Sequence, residues 1–339
     1  MDPFFIIGTE RSGTNLLRLI LNAHSGLAIP HPPHIMKNFF PLEPFYGDLT
    51  VDMRFKRLIS DVVKMVELHP YPWEVSIDRD RIFQEVKHRD LINVFFAIYE
   101  QYRENTGKRR WGCKSTFMVY HVALIRYYYP RAQFLFMVRD GRDVAASARK
   151  TIFNRYSVYY TAKLWKKEQQ LGLSWLRRLS DENIFLVKYE DLLSRPSEVV
   201  QSICSFLHEP YEGAMLDFFS TPEAKKSGGL SAAWKNTASP ILKDNCGKFK
   251  TELKPREIDL FESIACNELN CFSYDLGRPL HILEGINARG IKFRISYFIE
   301  EILCMIAVQL RHLCKDKNSL LRIKKYWFLK FVRIIRAIQ

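Results

Sequence analysis

The sequence predicts an α/β fold built around a central, mainly parallel sheet. Three observations carry that expectation. A short apolar strand, a glycine-containing turn and an amphipathic helix occupy the first 24 residues. Continuous apolar runs recur at residues 133–138 and 184–187, as in strands buried on both faces. Helical periodicity fills much of the chain between such runs, and strands alternating with helices build parallel sheets.

Residues 4–7 form the first strand, which ends at Gly8. From Asn15 onward, Leu16, Leu17, Leu19, Ile20 and Leu21 cover one broad helical face. Residues 29–47 read as a loop because prolines stand at 30, 32, 33, 41 and 44. Residues 54–68 place Phe55, Leu58, Ile59, Val62, Val63 and Val66 at helical spacing. Residues 90–103 repeat the pattern with Leu91, Val94, Phe95, Ile98 and Tyr102. Residues 111–115 are a short strand, and 119–129 a helix stopped by Pro130. A helix reopens over 143–150 after the 133–138 strand, and 196–207 is helical after 184–187. Residues 220–250, polar and containing Gly228-Gly229, read as a long loop. Two domains follow: 1–277, and a basic helical extension over 278–339.

Of 339 residues, 51 are Lys+Arg and 37 Asp+Glu, for a net charge of +14; 47% are apolar and 26% charged. That balance excludes disorder and collagen-like structure. The charge admits nucleic acid, an anionic membrane or a phosphorylated small molecule as partner, and its distribution decides among them. Residues 278–339 hold 13 Lys+Arg and four acids, net +9, leaving +5 for 1–277. Residues 319–338 resemble a basic amphipathic helix. Residues 317–339 are accordingly expected on an anionic membrane surface or a partner, and 291–313 packed on the domain or at a dimer interface. Seven cysteines without a CxxC pair argue for reduced thiols. The start lacks a basic n-region, and the longest apolar run near the C-terminus, 302–310, is too short to span a bilayer. The expectation is a cytoplasmic protein, with a membrane-peripheral tail as a variant of it.

Two segments have the chemistry of anion sites. Gly8-Thr9-Glu10-Arg11-Ser12-Gly13-Thr14-Asn15 joins a strand to a helix, where backbone N–H groups and the helix dipole converge. Ser12 and Thr14 add hydroxyl donors, and Arg11 adds a fork matched to phosphate oxygens. The glycine spacing resembles a Walker loop. Thr14, however, stands where the Walker lysine would be, and Asn15 where the magnesium-binding hydroxyl would be. The second segment, Arg139-Asp140-Gly141-Arg142-Asp143, follows the 133–138 strand. Arg139 lies at a strand's carboxyl end and Ser147 in the next helix, a pair suited to a second phosphate. The plain alternative is a surface charge cluster pairing with itself.

GTERSGTNLLRLILNAH, GCKSTF, FLFMVRDGRDVAAS and LVKYEDLLSRP, in this order, resemble the sulfotransferases that use 3′-phosphoadenosine 5′-phosphosulfate (PAPS). The closest flavour is the bacterial and tyrosylprotein-type branch, with arginine in the RSGT loop. The similarity covers roughly residues 3–275. It implies a P-loop-NTPase-like three-layer fold, a metal-free transfer to a hydroxyl or amine, and PAP as product. It also implies that Arg11, Ser12, Gly13, Thr14 and Asn15 surround the 5′-phosphosulfate, that Arg139 and Ser147 hold the 3′-phosphate, and that Lys114 neutralises the transferring group. Tyr189 resembles the tyrosine near the adenine, and Trp234, Lys235, Asn236 and Lys248 fall in the loop that closes over the nucleotide.

In-line transfer at sulfur needs charge stabilisation and a base for the acceptor. Many relatives carry a glutamate about twenty residues after the loop arginine, where this chain has Pro32. His31 and His34, which flank Pro32-Pro33, are the candidate bases, with Glu43 and Asp48 as fallback carboxylates. The acceptor is not legible: aromatics between 39 and 73 suit a small molecule, glycan, lipid or peptide. Nucleic acid is not expected. Two rivals stand beside this reading, a small-molecule kinase and a non-catalytic basic binding protein.

Overall fold

A computed structural model describes residues 1–151, 157–230, 236–284, 291–315 and 318–338. Among these, five strands form one parallel sheet: β1 (Phe4–Gly8), β2 (Leu27–Ala28), β3 (Arg110–Lys114), β4 (Gln133–Val138) and β5 (Ile184–Lys188). Their order is β2-β3-β1-β4-β5. Phe5 lies opposite Cys113 on one side and Phe134 on the other. The chain winds outward from β1 to β2, returns through β3, then crosses to β4 and β5. Such a reversal opens a crevice at the carboxyl ends of the central strands.

The first helices are α1 (Thr14–Asn22), α2 (Ile35–Phe39), α3 (Asp52–Glu67), α4 (Arg79–Glu85) and α5 (Leu91–Asn105). Next come α6 (Val122–Tyr128), α7 (Gly141–Ala148), α8 (Val158–Arg178), α9 (Tyr189–Ser194) and α10 (Pro196–Leu207). The last are α11 (Pro222–Leu230), α12 (Phe249–Glu252), α13 (Pro255–Cys271), α14 (Leu280–Glu284), α15 (Ile291–Lys315) and α16 (Ser319–Ile338). Strand alternation sorts them into layers. Phe4 and Ile6 pack toward α1, α9 and α10, while Phe5 and Ile7 pack toward α3, α5, α8 and α13. All four side chains are fully buried, each contributing about 1.5–3 kcal/mol.

The expected α/β fold with a helical C-terminal region is the one observed. Three local readings change. The 29–47 segment is not all loop: α2 and a 3₁₀ turn at Glu43–Tyr46 form because Ile35, Met36, Phe39 and Tyr46 reach the core. Within the 220–250 loop, α11 forms despite Gly228-Gly229. Pro222 starts it, and Glu223 and buried Ala224 and Ser227 tie it down. The C-terminal segment is also placed differently. α16 seats on the domain through buried Val332 and an Arg336–Asp61 ion pair of 2.9 Å, and α15 packs on the same domain through buried Glu301, which accepts from Ser157 N at 2.8 Å, an Arg149–Glu300 pair of 3.3 Å and Tyr297 stacked 5.6 Å from Tyr159. α15 leaves Phe298, Ile302, Leu303, Ile306 and Leu310 exposed. No helix among the described residues is long and apolar enough to cross a membrane.

Candidate active site

All five strands end at or just before a candidate side chain. The β1–α1 loop carries Arg11, the chain after β2 reaches His31, β3 ends on Lys114, β4 is followed by Arg139 and β5 by Tyr189. These five residues line one cavity of about 1130 Å³, joined by Gly13, Thr14, Asn15, His34, Ser147, Asn236 and Lys248.

The loop conformation is dictated by its glycines. Gly8 has φ +140°, and a Cβ there would lie 2.2 Å from Met137 O. Gly13 has φ +88°, and a Cβ would lie 2.3 Å from the Tyr189 ring. Arg11 itself sits in the left-handed region at φ 72°. α1 then begins with no side-chain cap and no acid in its first turn, so its positive end is kept for the cavity.

The arginines interlock. Arg11 Nε donates to Ser147 Oγ at 3.1 Å, and Arg139 Nη1 donates to Arg11 O at 3.2 Å. Arg139 also donates to Asn245 O at 3.0 Å and lies 4.5 Å over the Tyr189 ring, whose hydroxyl accepts from Asn245 Nδ2 at 2.6 Å. Its Nε is buried with no hydrogen-bond partner among the described residues. Burial and repulsion from Arg139 push Arg11 down to about 10. Fully buried Asp143 accepts the N–H groups of Gly247 and Phe249 at 2.7 and 2.9 Å, pinning the turn that carries Lys248.

The 139–143 charges are not a surface cluster. Arg142 pairs with Asp140 at 2.7 Å and with fully buried Glu262 at 2.5 Å, and lies 4.1 Å over Phe249. Arg139 pairs instead with buried Asp143 at 3.3 Å, so the segment's charges pair among themselves but in the interior, with Arg139 also lining the cavity. On the other side of β1, Lys114 is half-buried. Burial first, then Arg18 and Arg11 against the pull of Glu10, push it down to about 8.

The two histidines differ. His31 is buried, stacked 4.6 Å from Tyr71 and 5.1 Å from His69. His34 is half-buried at the start of α2 with φ 60°, its Nδ1 3.3 Å from Ser115 Oγ. Burial holds both well below the ordinary histidine value. His69 and Arg18 add to the push on His31, Lys114 and Lys37 to that on His34. Both rings are therefore neutral near pH 7, the form that accepts a proton.

Of the remaining candidates, Thr14 and Asn15 reach the cavity. Ser12 is fully buried and is not among the described residues that line it. Asn15 is held by Arg18 at 2.9 Å and Ser227 at 3.3 Å. Trp234 and Lys235 lie outside the described residues. Sequence reasoning missed Arg18, which is fully buried and binds Glu223 at 2.6 Å and Ile29 O at 3.2 Å. Its signal was a lone arginine inside the apolar run of α1. It missed Asn245 and His69 as well, and the arrival of Arg322 and Lys325 from α16 at the cavity wall.

Similarities to known proteins agree with this geometry. The model of the Sulfotransferase family matches residues 3–213. A protein-tyrosine sulfotransferase of Drosophila melanogaster is 24% identical over 249 residues, covering 71% of this chain and 45% of its own length. Protein-tyrosine sulfotransferase A of Caenorhabditis elegans is 22% identical over 221 residues, covering 63% and 52%. The chain thus spans about half the length of these curated relatives. In fold, it is similar to the sulfotransferase domain of the Synechococcus PCC 7002 olefin synthase. The TM-score is 0.57 at 20% identity, with 81% of this chain and 96% of that one covered. A match over more than half of the chain, on a parallel sheet whose strand ends converge on one cationic cavity, settles the assignment: the chain belongs to the sulfotransferase family.

Proposed function

We propose that this chain transfers a sulfuryl group from PAPS to a hydroxyl or amine, and that residues 1–277 are its catalytic domain. The observation that carries the proposal is the convergence of Arg11, Lys114 and Arg139 from three adjacent strand ends, with Arg11 bonded to Ser147 and Arg139 to the loop backbone. The residues suit the nucleotide. Arg139 Nε is a buried donor without a hydrogen-bond partner among the described residues, and the missing Cβ at Gly13 lets the Tyr189 ring pack directly against the loop.

PAPS supplies the sulfuryl group and a 3′,5′-bisphosphate leaving group. Thr14, Asn15 and the amides opening α1 hold the 5′ side. Arg139 and Ser147 hold the 3′-phosphate, Tyr189 lies beside the adenine, and the turn bearing Lys248 closes over it. Arg11 and Lys114 neutralise charge on the bridging oxygen as its bond to sulfur breaks and the acceptor's bond forms in line. His34, on the cavity wall beside Lys114, takes the acceptor's proton. His31, stacked beneath Tyr71, orients that side.

The test is paired binding and transfer with purified protein. PAP should bind much more tightly than AMP, and labelled PAPS should pass its sulfur to an acceptor in a screen of phenols, sugars, lipids and peptides. Equal affinity for PAP and AMP would remove the 3′-phosphate site. ATP binding as tight as PAP binding would favour the kinase rival.

A further inference from the structure

α15 and α16 each rest on the domain along one stripe and leave the opposite face bare. α15 turns both of its acids inward, Glu301 to the Ser157 N–H and Glu300 to Arg149. On the other side of that helix, Ile295, Ile299, Ile302, Ile306 and Leu310 recur at helical spacing and are 37–59% exposed. α16 repeats the arrangement. Its inner face carries buried Val332 and the Arg336–Asp61 pair. Its outer face carries Leu320, Ile323, Trp327, Phe331 and Ile334, 40–71% exposed. At 100° per residue, exposed Lys324 borders this apolar stripe on one edge, and exposed Tyr326, Lys330 and Arg333 border it on the other.

Contiguous apolar surface of this kind marks a binding face rather than scattered exposure. The charge around it selects the partner. α16 has six Lys+Arg and no Asp or Glu. Among the described residues, the outward faces of both helices carry no carboxylate. A second copy of this chain would bring cations against cations. A bilayer with anionic headgroups offers acyl chains to the apolar stripe and phosphates to its basic edges. Trp and Tyr suit that boundary because each ring is apolar and its N–H or O–H polar. The two helices also share the rim of the cavity: Met305, Ile323, Tyr326 and Trp327 are exposed and line it at once.

We infer that the outer faces of α15 and α16 are a docking surface for an anionic bilayer. Trp327, Phe331 and their apolar neighbours enter the boundary between headgroups and acyl chains, and Lys324, Lys330 and Arg333 meet lipid phosphates. The helices lie on the membrane rather than through it, since no helix among the described residues is long and apolar enough to cross. Docking sets the rim of the cavity at the lipid–water boundary. The surface lies outside the matched residues 3–213 and stands whatever group the cavity transfers.

The test is flotation of the full chain with vesicles of phosphatidylcholine alone and of phosphatidylcholine with phosphatidylglycerol. Binding to the anionic vesicles should be at least about tenfold tighter and should weaken as salt is raised. A double variant, Phe331→Ser with Ile334→Ser, removes apolar side chains that do not line the cavity and should lose capture. A charge-reversed double variant, Lys330→Glu with Arg333→Glu, should lose the preference for phosphatidylglycerol. Both change exposed positions, so thermal unfolding should stay at the wild-type midpoint. Tyr127→Ala, exposed on another part of the molecule, should bind like the wild type. Absence of capture, equal capture by neutral and anionic vesicles, or capture that both double variants retain overturns the proposal. Dimerisation in sedimentation runs without lipid, abolished by Phe331→Ser with Ile334→Ser, gives the face to a second copy and overturns it too. PAP plays no part in these measurements, so their outcome leaves the nucleotide reading untouched.

Discussion

At the residue scale, the site depends on a few cations placed where burial makes them costly and effective. Arg139→Ala removes charge-assisted bonds worth about 1.5–3 kcal/mol. PAP affinity should fall about 10- to 100-fold while AMP affinity stays level, by calorimetry. In the role proposed for it Lys114 acts as an ammonium, and burial has already pushed that group down to about 8. The value of kcat/KM, which reports free-enzyme ionisations, should therefore fall as pH rises through about 8. Lys114→Arg, which stays charged, should remove that limb if it retains turnover. His31 offers a stability test. Its folded pKa lies well below the unfolded value, so the unfolded chain binds more protons below about pH 6.5 and acid favours unfolding. His31→Phe keeps a ring against Tyr71 and removes that penalty. The variant should gain on the wild type by up to about 1.4 kcal/mol per pH unit as pH falls below 6.5, in urea titrations at several pH values.

At the element scale, short segments are held by buried polar ties rather than by their own propensity. The Arg142–Asp140 and Arg142–Glu262 pairs bind the start of α7 to α13, with Glu262 fully buried. Removing Glu262 takes one charge-assisted bond from buried Arg142, which keeps Asp140, so Glu262→Ala should destabilise the fold by about 1.5–3 kcal/mol in urea denaturation. The Arg18–Glu223 pair does the same for α11, binding a glycine-containing helix to the helix behind the anion loop. This explains where sequence reading stopped. The strands and the helices at 54–68, 90–103 and 196–207 were legible because their apolar spacing is local. α11 was not, because its stability comes from partners about two hundred residues away.

At the scale of the whole molecule, the net charge of +14 divides between two tasks. Residues 278–339 carry most of it, and α16 turns part of that charge inward to the cavity rather than outward. Deleting 319–339 should leave PAP affinity within about twofold of the full chain, because Arg11, Arg139 and Ser147 remain. Acceptor turnover should fall sharply in the same preparation. Loss of PAP binding would instead mean that the helix supports the whole fold.

The sequence by itself determined the α/β layering, the order of the anion loops and the identity of the cations at the strand ends. Those properties follow from local alternation and from the rule that ligands collect at the carboxyl ends of parallel strands. Only the tertiary structure decided how they combine. Arg139 was separated from the buried Asp140–Arg142–Glu262 network by contacts across 120 residues. Ser12 was turned away from the cavity wall and His31 was stacked under Tyr71. α16, whose pattern alone suited a membrane surface, was docked by Val332 and Arg336 over the histidine loop. A local pattern specifies that a helix has an apolar and a basic face; which surface meets that face depends on long-range packing that no window of sequence contains.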